Sequence, residues 1–200
     1  MTDVFRFEEE SHTYWLGDRQ LPGISAILRG SGLVGEDRFS KEEDRIRGKA
    51  IHLAIKYLNE NCLDWDSVDP YIKGWVEAYR DFKSSTGFIP GSVEVPVYHP
   101  AFLFAGTPDV AGIFPGDPSP VVVEIKTGIL NEEAVRLQLA GQAILLDHKF
   151  QCSHDRYCLQ VKQDRTYKLH PQFKDPRDIK TFLAGLTVYN WKKTHGGIHD

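Results

Sequence analysis

The chain has 200 residues, 41% of them hydrophobic and 26% charged, with a formal net charge of −4. That composition is ordinary for a folded, water-borne chain with one real core, and 200 residues are few for two domains. It excludes a membrane span, because no apolar run approaches the roughly 18 to 20 residues a span requires, and the charged opening MTDVFRFEEE lacks the apolar stretch of a signal peptide. A cytoplasmic location is expected. Cys62, Cys152 and Cys158 are odd in number and widely spaced, which suits reduced thiols better than a disulfide framework.

Charge is unevenly spread. Residues 149–195 carry ten Lys or Arg against four Asp, whereas residues 1–148 carry fourteen basic against twenty-three acidic residues. The basic tail is either an electrostatic footprint for a polyanion or a solvated basic helix.

In chain order, Val4–Phe7 and Thr13–Leu16 read as strands of a small meander or hairpin, with Gly17-Asp18 as turn chemistry. LPGISAIL starts a short helix or turn. A long helix follows, capped by Ser40, with Glu42 and Glu43 in its first turn, a core stripe of Ile46, Ala50, Leu53, Ala54, Tyr57 and Leu58, and an end near Asn61. Pro70 opens a second helix with Trp75, Ala78, Tyr79 and Phe82 on one face, closed by Gly87. SVEVPVYH, FLFAGTPDVAGIF and VVVEIKT then read as three strands with short links, expected to be antiparallel neighbours. Asn131 caps a helix with an apolar body from Val135 to Leu146. A hairpin over Gln163-Asp164 and a last helix from Asp175 to Lys193 complete the chain. The order predicts an α/β or α+β fold with one mixed sheet.

VVVEIKTG, residues 121–128, places charges inside an apolar run. A strand alternates its faces, so Val122, Glu124 and Lys126 point one way and Val121, Val123 and Ile125 the other. An edge strand with one wet face would account for this, but in a buried strand such charges must be paired or bound to a metal. Fifteen residues earlier, Asp109 lies in GTPDVAG. If these two segments pair, Asp109, Glu124 and Lys126 share one end of a sheet. Hard oxygen ligands there hold Mg²⁺, which polarises a phosphoryl oxygen and lowers the pKa of a bound water, and a nearby lysine orients the nucleophile.

Asp109 followed by Glu124-Ile125-Lys126, with Pro108 in front, resembles the signature of the PD-(D/E)xK nuclease superfamily. Gly48-x-x-x-His52 on the first long helix, Glu94 on the strand before GTPD, and Gln138, twelve residues after Lys126, resemble the further motifs of its RecB-type and phage-encoded exonuclease branch. SHTYWLGDRQLPGISAIL is also similar to the start of small phage-encoded nucleases.

The resemblance implies a restriction-endonuclease-like core, one nuclease domain over residues 1–200 with an N-terminal hairpin extension over about residues 1–30. It implies a Mg²⁺- or Mn²⁺-dependent deoxyribonuclease, an exonuclease of phage recombination or DNA processing. His52, Asp109, Glu124 and the Ile125 carbonyl would be metal ligands, Lys126 would orient the attacking water, and Gln138 would hold substrate or support Lys126. Glu94 and Gln142 are accessory candidates, and Arg45, Arg47 and Lys49 are candidate phosphate contacts. The implied partners are linear DNA with a free end, further copies of the chain as in the ring-forming lambda-type relatives, and a single-strand annealing or recombination protein.

The chain departs from the family at Gln142, which stands where the QxxxY motif has tyrosine. Three cysteines without a close CxxC argue against the iron-sulfur cluster of some relatives, and none is expected. Blander readings stand beside these: His52 as a hydrogen-bonded core histidine, Gly48 as a packing contact, Glu94, Gln138 and Gln142 as solvent-facing residues, and Glu124–Lys126 as a simple ion pair. Two rival functions remain open, a catalytically silent nucleic-acid- or protein-binding member of the fold and a restriction-type endonuclease.

Overall fold

A computed structural model of the chain describes residues 3–35 and 42–197; the Ser40 cap expected for the first long helix lies outside them. Phe5–Glu8 (β1), Thr13–Leu16 (β2) and Arg19–Leu21 (β3) form an antiparallel meander, and Ile24–Ser31 (α1) follows. Glu42–Asn59 (α2) and Pro70–Thr86 (α3) come next. Asp69 caps α3 by accepting the Tyr71 N–H, and Gly87, at φ 68°, ends it.

The face of α2 is rotated from the expected stripe. Ile51, Ala54 and Ile55 are buried, while Ile46, Leu53 and Tyr57 lie in solvent. Residues 51, 54, 55 and 58 are themselves spaced for one helical face, so two stripes compete, and the α3 ring cluster of Trp75, Tyr79 and Phe82 selects the second. The selected register leaves His52 at the rim of the buried face.

Ile89–Val93 (β4), Val97–His99 (β5), Phe104–Gly106 (β6), Val110–Ile113 (β7) and Val121–Lys126 (β8) occupy the segment expected to hold three strands. Two of the expected strands are interrupted, one around Glu94–Pro96 and one around Thr107–Asp109. Proline has no N–H for a ladder, and Glu94 adopts a left-handed φ of 47°. The broken-off pieces β5 and β6 pair with each other.

Glu132–Phe150 (α4), capped by Asn131, Asp155–Val161 (β9), Tyr167–Leu169 (β10) and Arg177–Thr194 (α5) complete the order. The main sheet runs β10-β9-β8-β7-β4. It is mixed, since β8 and β9 are parallel and the other pairs antiparallel.

Strand β8 is the middle of five, and both its faces are covered. Val121, Val123 and Ile125 pack against α2 and α3, and Val122 packs against α1, α4 and α5. Burying each such side chain contributes roughly 1.5–3 kcal/mol. The edge-strand account of Glu124 therefore fails. Asp178 on α5 accepts from Arg136 on α4 and from buried Arg156 on β9, which fixes α5 across that face.

Candidate active site

The two interruptions lie side by side at one end of the sheet. Val93 pairs with Val110 across β4 and β7, and Val110 with Val123 across β7 and β8. The residues just outside those pairs, Glu94 and Asp109, are joined by a Glu94 N–H donated to the Asp109 carbonyl at 3.0 Å. Asp109 Oδ2 accepts the Ile125 N–H at 2.7 Å, which turns its other oxygen outward. Helix α2 crosses above and places His52 Nδ1 3.5 Å from both Asp109 Oδ1 and Glu94 Oε1. Glu94 thus belongs to the break after β4 rather than to a strand, and its left-handed backbone carries the carboxylate to the histidine.

The second half of the site comes from β8 and α4. Lys126 Nζ donates to Glu124 Oε1 at 2.7 Å and to Gln138 Oε1 at 3.0 Å. Gln138 Nε2 donates to Glu124 Oε1, and Gln142 Nε2 to Glu124 Oε2, each at 2.7 Å. Gln138 and Gln142 are four residues apart and so share one helical face. Glu124 is only 2% exposed, and three donors on one carboxylate satisfy the requirement that a buried charge be paired. Gln142 is buried too, so neither it nor Gln138 is a solvent-facing residue of the kind the blander account required.

Burial, and then the charge of Asp109, raise the Glu124 pKa against the pull of Lys126 and Gln142. Burial would also raise Asp109, but the charges of His52 and Lys126 and the Ile125 N–H outweigh it and hold Asp109 below the usual carboxylate range. The pKa values of two neighbouring carboxylates are therefore pushed in opposite directions. Within the Glu124–Lys126 pair both pKa values move up. Burial works against the Lys126 charge, yet Glu124 and Asp109 together raise its pKa, because Asp109 attracts the ammonium and repels Glu124. Burial would lower His52, and the carboxylates of Asp109 and Glu94 reverse this and raise it to about 10.

Carboxylates and a backbone carbonyl are hard donors of the kind that hold Mg²⁺ or Mn²⁺, and the imidazole is a borderline donor that suits a transition ion. The set fits such an ion by its chemistry, and it already holds one positive charge, the second proton of His52. Its present spacing is that of an ion-pair cluster: among the described residues no three His, Cys, Asp or Glu side chains are gathered as ligands of one metal.

Of the remaining candidates, Arg45 is exposed beside Glu42. Arg47 is held by Asp44 at 2.7 Å and lies over the Trp75 ring at 5.3 Å, which gives it a structural task. Lys49 is exposed and close enough to His12 to help burial lower that histidine's pKa. A Cβ built on Gly48 would meet Thr127 Oγ1 at 3.9 Å, an ordinary contact, so close helix packing does not require glycine there.

A cleft of about 340 Å³ opens beside the cluster, lined by Tyr14, Arg29, Asp109, Gln138, Gln142 and Lys193 among others. Sequence reasoning missed its outer walls. Tyr14 O–H lies 3.0 Å from Thr107 Oγ1 and 3.1 Å from His12 Nε2, which fastens the N-terminal meander to the GTPD segment. The available signals were the SHTYW stretch and the threonine of GTPD, but nothing local links them.

No family model matches the chain, and no curated protein matches it by sequence. Solved structures do match. A protein of Eubacterium rectale provisionally named an exonuclease superposes with a TM-score of 0.54 at 9% identity, over 90% of this chain and 83% of that one. An alkaline exonuclease of Laribacter hongkongensis gives a TM-score of 0.40 at 14% identity, over 88% and 94%, and its complex with dAMP gives 0.39 at 16%, over 90% and 95%. The Eubacterium likeness concerns the fold alone. The fold is α/β, a mixed central sheet flanked by helices, of the restriction-endonuclease-like kind. Among the described residues no helix is long and apolar enough to cross a membrane.

Proposed function

We propose that this chain is a divalent-metal-dependent deoxyribonuclease, an exonuclease acting on linear DNA. The observation that carries the reading is the meeting of His52, Asp109 and Glu94 within 3.5 Å contacts, beside the Glu124–Lys126–Gln138 network, on this fold. Asp109, Glu124, His52 and the Ile125 carbonyl would hold Mg²⁺ or Mn²⁺, with Glu94 alongside. A cation bound there would supply Lewis acidity and a more acidic water. Lys126 orients the attacking water, and Gln138 keeps the Lys126 ammonium against Glu124. Water oxygen bonds to phosphorus as the bond to the 3′ oxygen breaks, leaving a 5′-phosphate and a 3′-hydroxyl. Arg29 and Lys193, both on the cleft wall, supply positive charge for the strand, with Lys49 near its rim. The proposal extends to a role in phage recombination or DNA processing, to assembly of several copies, and to a single-strand annealing or recombination partner.

A second reading, a catalytically silent binding member of the fold, draws on the present spacing of the acidic donors, which is not that of a metal-ligand set. One experiment separates the readings. End-labelled linear duplex, linear single strand and closed circles are incubated with the chain in Mg²⁺ or in chelator, alongside Asp109→Ala and Lys126→Ala. Cation-dependent loss of label from linear DNA alone, abolished in both variants, supports the exonuclease. Nicked circles identify an endonuclease, and retarded but uncut DNA identifies the silent binder.

A further inference from the structure

We infer that Gln142 is a positioning residue for Glu124, doing from the departed tyrosine position a task that rests on the nuclease reading above. Three observations carry it. Gln142 is 2% exposed and lines the cleft with Asp109 and Gln138. Its Nε2 donates to Glu124 Oε2 at 2.7 Å, the one oxygen of that carboxylate which neither Lys126 nor Gln138 reaches. Its Oε1, shielded from solvent, has no hydrogen-bond partner among the described residues.

The amide orientation follows from the charge of its partner. With Glu124 ionised by Lys126 the carboxylate only accepts, so the nitrogen faces Glu124 and the oxygen is left on the other side. An apolar residue of the same volume would pack here without an unpaired buried carbonyl, so packing alone gives no reason for an amide. What the amide adds is a second point of attachment. Lys126 and Gln138 converge on Oε1 and leave the carboxylate free to swing about that oxygen. Gln142 on Oε2 fixes its plane against the cleft. A carboxylate held in one plane presents its remaining lone pair, on Oε2, in a fixed direction, and outer partners of that kind tune how a ligand binds a metal.

The test compares Gln142→Met, which keeps the volume and removes the amide, with Gln142→Leu, which removes it in a branched apolar side chain. Thermal melting first establishes that each variant folds, and either one alone suffices. Mn²⁺ affinity is then measured without DNA, from the electron paramagnetic resonance of the free ion, and kcat and KM are measured on linear duplex. Both variants should bind Mn²⁺ about 10–100-fold more weakly and lose kcat by a similar factor, with KM for DNA changed by no more than about twofold. Wild-type Mn²⁺ affinity and kcat in either variant overturns the inference while leaving the nuclease reading intact. A wild-type chain that neither binds Mn²⁺ nor cuts DNA overturns both.

Discussion

Gln138 touches both charges of the pair it faces: its Oε1 accepts from Lys126 Nζ at 3.0 Å and its Nε2 donates to Glu124 Oε1 at 2.7 Å. One amide therefore sets the distance between an ammonium and a carboxylate that already meet at 2.7 Å. Gln138→Leu removes both contacts without removing either charge. The expected result is a fall in kcat of about 10–100-fold, with a cooperative melt retained. An unchanged kcat in an active background would leave Gln138 a packing residue.

Asp109 has a structural and a chemical task that can be separated. Asp109→Asn retains an oxygen for the Ile125 N–H, whereas Asp109→Ala leaves that N–H without the side-chain acceptor it now has. Denaturant unfolding should find the Ala variant about 1–3 kcal/mol less stable than the Asn variant. Both should lose DNA cleavage, because neither keeps the carboxylate charge.

His52 makes the metal-free protein sensitive to alkali. Its pKa is raised to about 10 in the folded chain, from 6.5 in the unfolded one. A raised pKa contributes stability that is complete below pH 6.5 and is lost as pH rises through about 10. Urea midpoints in chelator should fall across that window, and His52→Asn should flatten the fall. A His52 proton titrating near pH 6.5 by NMR would contradict the ion-pair cluster.

The thiols divide by environment. Cys62 and Cys152 are exposed, and Cys158 is buried beneath the site. Burial, reinforced by the charge of Glu124, pushes the Cys158 thiol up to about 12. A thiol reagent at neutral pH should label two cysteines in the folded chain and the third only on unfolding. Rapid labelling of Cys158 would mean that the floor of the site opens.

Much of the site was legible because its signals are local. The alternation of VVVEIK separates Glu124 and Lys126 from the apolar face, and Pro70 with Gly87 frames α3 where the structure has it. The register of α2 was not legible, since Ile46, Leu53 and Tyr57 repeat as well as Ile51, Ala54 and Ile55, and only tertiary packing chooses between them. The breaks at Glu94–Pro96 and Thr107–Asp109 were read through as continuous strands. They matter because each break turns a carboxylate out of the ladder and toward His52. The Tyr14–Thr107 contact joins residues far apart in the chain, where periodicity carries no information.

The central claim is that these groups clasp one cation, and crystals grown with Mn²⁺ test it through anomalous scattering. The account predicts one strong peak bonded to carboxylate oxygens of Asp109 and Glu124 and to the His52 imidazole, beside Lys126. Repeated crystals saturated with Mn²⁺ that show no peak there, with His52 still wedged between Asp109 and Glu94, would contradict it.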